Sequence, residues 1–278
     1  MLKKISIIVT ILLMAIILVA CGNESGQVNS NSDSQDTKQN DTLLSKDEFK
    51  QMFSDPDKFK GRKVDYYAKI FTEPEKDANG TYIQAFADPD NSTQNTLIQI
   101  SDPNLDVKND DIIHIVGTIE KKYDGENAFG GSISAPVIVA SKIEKSDYAT
   151  AFDPAIKTID VNKEIDQHGY VIKLNKVEFG TENTRAYLTI TNNTNGNVMF
   201  STYDSKATQG NKQFDKGDSY GKYPELNTEI LSGIKEEGVV VFKPLDANGE
   251  SVKFIFEGHS SSDYSLEFEP YTFEVNMQ

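Results

Sequence analysis

The chain has 278 residues, one cysteine and no tryptophan, and its 43 acidic against 28 basic side chains leave a formal charge of −15. That length accommodates two domains with separate cores. A single cysteine excludes an internal disulfide framework and every multi-cysteine metal or iron–sulfur centre. Three scattered histidines (His114, His168, His259) leave little material for a zinc or non-haem iron site.

Lys3 and Lys4 form a short positive start, and Ile5 to Ala20 is an apolar run broken only by Ser6 and Thr10. Such a run is short for a spanning helix, which needs about 20 apolar residues, and fits a secretory leader better. Its end, Leu18-Val19-Ala20-Cys21-Gly22, resembles the lipobox of bacterial lipoproteins. That resemblance implies cleavage after Ala20, diacylglycerol on the Cys21 sulfur, and a chain anchored to the cell membrane on its extracellular side. The other reading is an uncleaved anchor helix with an incidental cysteine. One acyl chain binds a bilayer reversibly and two or more hold it stably, so the implied modification makes a lasting anchor. Loss of Lys3 and Lys4 with the leader takes the charge from −15 to −17.

Residues 1–20 are thus expected to be a signal peptide and 21–42 a lipidated tether. Between Asn23 and Thr42 only Val28 is a large hydrophobic residue, too little apolar surface to offset ordering entropy. A flexible segment of that length has an r.m.s. reach of about 25 Å.

Ser45 with Glu48 three residues on reads as a capping box opening a helix over Lys46 to Phe53, with Phe49, Met52 and Phe53 on one face and Asp55-Pro56 ending it. Period-two alternation then predicts five strands: Val64 to Phe71, Tyr82 to Ala87, Thr96 to Ile100, Ile112 to Lys121 and Val137 to Ile143. Gly61-Arg62-Lys63 leading into the first strand, together with Val107 to Ile119 and its Val116-Gly117-Thr118-Ile119, resembles the OB-fold domains of small bacterial secreted proteins. The resemblance covers about 43–148 and implies a five-stranded barrel in which Gly117 lets its strand bend.

OB-folds often bind oligonucleotides or sugars. Nucleic acid needs clustered lysine and arginine, and a chain this acidic with two arginines, Arg62 and Arg185, argues against it. The alternation sets Tyr67, Phe71, Tyr82 and Phe86 opposite Ile83, Ala85 and Ala87. Such a ring set is either covered, by the Phe49 helix or by a second domain, or partly open to stack on a sugar or grip a protein; covering is the preferred reading, and the hypothesis set against it is that part of the row stays open. Glu75-x-Asp77-x-Asn79-Gly80 imitates the start of a calcium loop, but position 12 is Phe86 where a bidentate glutamate is needed. A hairpin turn at Asn79-Gly80 is the preferred reading.

After a short connection over Ser146 to Pro154 the strand pattern resumes: Val171 to Phe179, Ala186 to Thr191, Val198 to Tyr203, Gly238 to Phe242, Val252 to Phe256 and Tyr271 to Val275. Many short strands with turns between them indicate an all-β sandwich. Three segments, Tyr187 to Thr194, Leu231 to Pro244 and Val252 to Phe256, together resemble an immunoglobulin-like domain of unknown function common in Gram-positive lipoproteins and similar to secreted mycobacterial antigens. The expected domain spans 155–278 and, lacking the cysteine bridge and tryptophan of antibody domains, rests on aliphatic and phenylalanine packing. The polar stretch Asp204 to Asn227, with Tyr220 and Tyr223, is expected to be a mobile connection.

No catalytic set emerges. His259 beside Ser260-Ser261-Ser262-Asp263 supplies serine, histidine and aspartate, but a triad is defined by convergence in space. No G-x-S-x-G, P-loop or dinucleotide-binding glycine pattern occurs. The chain is therefore expected to be mainly β and non-catalytic, with no cofactor or metal. Its expected role is that of a membrane-anchored binding or adaptor module for a cell-envelope protein. The alternative is a cell-wall glycan or other small ligand held on the Tyr67, Phe71, Tyr82 and Phe86 face, although strong negative charge disfavours anionic wall polymers.

Overall fold

The computed structural model describes residues 42–126, 132–263 and 265–277. The expected leader over 1–20, Cys21 and the tether as far as Asp41 lie outside the described residues. What is described is mainly β, arranged in several sheets.

The first helix, α1 (Lys46–Met52), opens with both halves of the capping box. The Ser45 hydroxyl accepts from Glu48 N at 3.4 Å and the Glu48 carboxylate accepts from Ser45 N at 2.9 Å. Arg62 donates to the same carboxylate through both terminal nitrogens (3.1 and 3.2 Å) and reaches the carbonyls of Thr42 and Leu43. After Pro56 a single 3-10 turn, Pro56–Phe59, puts Phe59 into the core; the sequence reading had no element there.

Six strands follow: β1 (Lys63–Ile70), β2 (Glu75–Asp77), β3 (Gly80–Asp88), β4 (Thr93–Ile100), β5 (Ile112–Glu126) and β6 (Ser132–Ser146). They form one sheet in the order β1-β5-β6-β4-β3-β2, antiparallel except for β4 against β6, and β1 also pairs with β3 at Lys69–Phe86 and Ile70–Ala85. Val64, Ala68, Ile70, Ile83, Ala85, Ile98, Ile113, Ile115 and Ile138 share one core, sealed by Met52 and Phe59. The pairing register shifts between Val116 and Gly117. A Cβ at Gly117 would stand 2.7 Å from the Val139 carbonyl and 2.8 Å from the Ile138 side chain. Only glycine lets β5 and β6 approach that closely where the strand bends. The turn expected at Asn79-Gly80 is a two-residue loop, Ala78-Asn79, between paired Asp77 and Gly80; Asp77 Oδ1 accepts from Asn79 N and Gly80 N.

The connection contains a short helix, α2 (Tyr148–Phe152), capped by Asp147. Beyond it come β7 (Lys157–Gln167), β8 (Tyr170–Phe179), β9 (Thr184–Asn192), β10 (Val198–Gln209), β11 (Lys212–Phe214), β12 (Glu229–Ile230), β13 (Lys235–Phe242), β14 (Val252–Ser260) and β15 (Tyr271–Val275). They make two antiparallel sheets, β13-β9-β8-β7 and β11-β10-β14-β15, with β12 on β10. Both sheets supply one apolar core, including Tyr170, Phe179, Phe200, Phe242, Phe254, Phe256 and Phe273.

Two expectations change. β7 was not foreseen: Ile159, Val161 and Ile165 are only half-buried on this edge strand, and a bulge at Asn162 (φ 49°) breaks their alternation. The Asp204 to Asn227 stretch is largely tied down, in contrast to the mobile connection expected. β10 continues through a bulge between Ser201 and Lys206, Gly217 N donates to Val241 O, Val239 N donates to Pro224 O, and Tyr223 and Leu226 are buried.

Candidate functional site

Alternation along β1 sends Val64, Tyr66, Ala68 and Ile70 into the core and leaves Tyr67, Lys69 and the following Phe71 on the other face. β3 does the same with Tyr82, Gln84 and Phe86. All four expected rings are half-buried. Phe71 and Phe86 stack at 4.0 Å with 16° between planes. Tyr67 stacks on His114 at 4.7 Å, and His114 Nε2 lies 2.6 Å from Asp65 Oδ1. Tyr82 stands apart at the β2–β3 hairpin with its hydroxyl 3.4 Å from Asp77 Oδ1; desolvation, then the Asp77 charge, push that hydroxyl above its usual range. The four rings are thus a stacked pair and two separate rings. The α1 helix packs on the core side, Phe49 against Tyr66 at 5.0 Å.

Next to the stacked pair the two β-rich parts meet. Lys69, cross-strand partner of Phe86, lines a cleft of about 330 Å³ with Pro89, Asp90, Tyr148, Asp218, Tyr220, Gly221 and Lys222. Tyr148 donates to Asp90 Oδ2 at 2.6 Å, and Lys222 bridges Asp90 and Asp218 at 3.1 and 3.2 Å. Burial, then the Asp90 hydrogen bond, raise the Tyr148 hydroxyl far above its ordinary value. Tyr220 is 88% exposed at the cleft mouth. A second depression of about 510 Å³ shares Asp218 and Tyr220 and runs on to Glu225, Thr228 and Val240.

Beneath this cleft lies the only arginine of the C-terminal part. Arg185 is fully buried and donates to Asp153 Oδ2 at 2.6 Å and to Glu178 Oε2 at 3.1 Å. Tyr223 donates to the same Asp153 oxygen at 3.2 Å, and its own hydroxyl is pushed up to about 12 by burial and by that carboxylate. Tyr187 donates to Glu178 at 2.8 Å. Burial would raise the Glu178 carboxyl, but hydrogen bonds from Lys176 and Tyr187 and the Lys176 charge outweigh it and hold it below the usual range. Asp153 belongs to the connection, Arg185 to β9 and Tyr223 to the long loop, so one ion pair pins all three beside Tyr148 (edge to face with Tyr223, 5.5 Å). A lone arginine in a strand pattern reads as a surface residue, and sequence reasoning passed over Arg185, Asp153 and Tyr148 alike.

The other candidates are placed as follows. His259 sits in β14 opposite Met199, while Asp263 Oδ1 accepts from the Ser265 amide and hydroxyl. Among the described residues no three histidine, cysteine or acidic side chains are grouped to hold a metal ion. No described helix is long and apolar enough to cross a membrane. No protein-family model matches the chain, and no curated protein matches it in sequence.

Proposed function

We propose that the chain is a lipid-anchored extracytoplasmic protein, held at the cell membrane through a diacylglyceryl Cys21, that binds a cell-envelope protein without catalysing a reaction. Residues 43–148 are read as an OB-like five-stranded barrel. The parallel β4–β6 pair and the extra β1–β3 pairing support that reading. Residues 155–278 are read as an immunoglobulin-like sandwich, supported by the core common to its two sheets. The likeness to Gram-positive lipoproteins and secreted mycobacterial antigens rests on the motifs quoted above.

One observation carries the binding role: a cleft of Lys69, Tyr148, Tyr220 and Lys222 opens over a pinned junction, and its Lys69 is the cross-strand partner of Phe86 in the Phe71–Phe86 stack. Tyrosine-rich surfaces with opposed charges at their edge suit a protein partner, because tyrosine offers large contact area with few torsions to freeze. A neutral glycan is the second reading, favoured by the aromatic platform that the outer faces of that stack offer next to Lys69.

A photo-crosslinker replacing Tyr220 in intact cells separates the two. The reading predicts a protein adduct that disappears in the Tyr82→Ser/Phe86→Ser variant. Retention on purified wall that the same variant abolishes, with no protein adduct, selects the glycan. No adduct and no retention refutes both.

A further inference from the structure

Charge is distributed unevenly along the N-terminal sheet. Between Thr42 and Lys63 lie six basic and four acidic side chains, and residues 118–126, which adjoin Lys63, add two basic and three acidic, a near balance in a chain whose overall charge is −15. Arg62 and Glu48 hold each other, so neither adds to that balance. At the far end of β1, segments 71–77 and 101–111 hold seven acidic and two basic residues. β1 runs from one end to the other, about 23 Å at the usual rise per residue, with Lys63 beside Thr118 and Ile70 hydrogen-bonded to Asp111. This less acidic end gathers Lys58, Lys60, Lys63 and Lys121, with Glu120 between them and Asp124 paired to Lys122, since Gly61 N donates to Ile119 O and Lys122 N donates to Asp57. Leu43, 56% exposed, lies there too.

The described chain also begins at this end, and its path is fixed. Leu44 N donates to Lys63 O, Lys63 N to Thr42 O, and Arg62 to the Thr42 and Leu43 carbonyls. Thr42, the first described residue, therefore lies in the middle of that end. We infer that this end, around Leu43, Lys58, Lys60 and Lys121, is a docking face for the anionic lipid headgroups of the bilayer that carries the anchor. The inference rests on the anchored reading above. Each lysine held near an anionic surface changes partitioning roughly fivefold, and a short tether supplies a millimolar-range effective concentration, so a modest patch suffices. The acidic end is repelled by the same surface, and the junction cleft, whose Lys69 precedes Ile70 at that end of β1 and pairs with Asp110, is held away from the membrane.

The test uses the full lipidated chain in phosphatidylcholine vesicles with and without phosphatidylglycerol. A single fluorophore is placed through Leu43→Cys or, at the acidic end, through Asn104→Cys. Docking predicts that phosphatidylglycerol blue-shifts the label at 43 and lowers its iodide quenching several-fold, leaves the label at 104 unchanged, and loses its effect in high salt or in a Lys58→Glu/Lys60→Glu/Lys121→Glu variant. Equal quenching at 43 and 104 on anionic vesicles overturns the inference. The mass of Cys21 is read on the same samples. If it carries no lipid, the anchoring reading fails; the labels are then placed on a Cys21→Ser chain held by its apolar leader, so that the contrast between 43 and 104 still decides docking.

Discussion

Replacing Asp153 by alanine removes one of two counter-charges from a guanidinium with 0% exposure. Its carboxylate takes donors from Arg185 (2.6 Å), Tyr223 (3.2 Å), Asn183 (3.3 Å) and the Glu182 amide (3.4 Å). Breaking a buried ion pair from one side costs about 3–5 kcal/mol, because the remaining charge stays out of water. Glu178 still holds Arg185 Nε at 3.1 Å, which places the expected loss near the lower end, about 3 kcal/mol. At roughly 2–4 °C per kcal/mol for a protein of this size, the melting midpoint of the C-terminal part falls by about 6–12 °C. Far-UV circular dichroism and tyrosine emission follow the transition, since the chain has 12 tyrosines and no tryptophan. Adding Arg185→Met removes the stranded charge, so the double variant is expected to lose less than the two single losses added together. A loss below about 1 kcal/mol for Asp153→Ala, the level of an exposed ion pair, refutes the reasoning, since it means the guanidinium finds water or another acceptor.

Gly117→Ala is expected to destabilise the N-terminal sheet by about 1–3 kcal/mol, the range for forcing atoms into a filled space, read as a shift in urea midpoint; an unchanged midpoint contradicts the close approach of Gly117 to Val139 and Ile138. Phe86→Ser should lower stability measurably, because stacked pairs are worth about 0.5–1.5 kcal/mol beyond burial, whereas Tyr82→Ser at the hairpin should stay within about 0.5 kcal/mol; the reverse order in thermal melts contradicts the placement of the two rings. Arg62, with help from the Ser45 amide and hydroxyl, lowers the Glu48 carboxyl from 4.5 to about 2. A depressed folded value means that its stabilising contribution is complete above the unfolded value of 4.5 and is lost as pH falls from there towards 2. A carbon-detected titration placing Glu48 near 4.5 in the folded protein, or unmoved by Arg62→Gln, contradicts the clamp.

Much of the N-terminal sheet was legible because its strands alternate cleanly and local chemistry agrees with tertiary packing. Ser45 and Glu48 announce α1, and Gly117 marks the bend where β5 and β6 touch. What escaped was either interrupted or non-local. β7 carries its apolar residues across a bulge at Asn162 on a sheet edge, where half-burial blurs the alternation. The stretch before β13 looked mobile because its composition is polar, yet Tyr223 and Leu226 anchor it through contacts that no local pattern encodes. Arg185 was counted only as charge, and Arg62 only as charge and as part of the Gly61-Arg62-Lys63 motif. Arg62 fixes the start of the described chain, and Arg185 locks the connection, a strand and a loop around Asp153. The expected ring set was visible as alternation. Its division into a Phe71–Phe86 stack, a Tyr67–His114 stack and a lone Tyr82 depends on register between strands far apart in the chain.

The anchored reading stands or falls at one atom, the Cys21 sulfur. Mass spectrometry of the N-terminal peptide from the membrane fraction is predicted to find residues 1–20 absent and a diacylglycerol-sized addition on Cys21. An unmodified thiol with the leader still attached, recovered from the cytosolic fraction, contradicts the account.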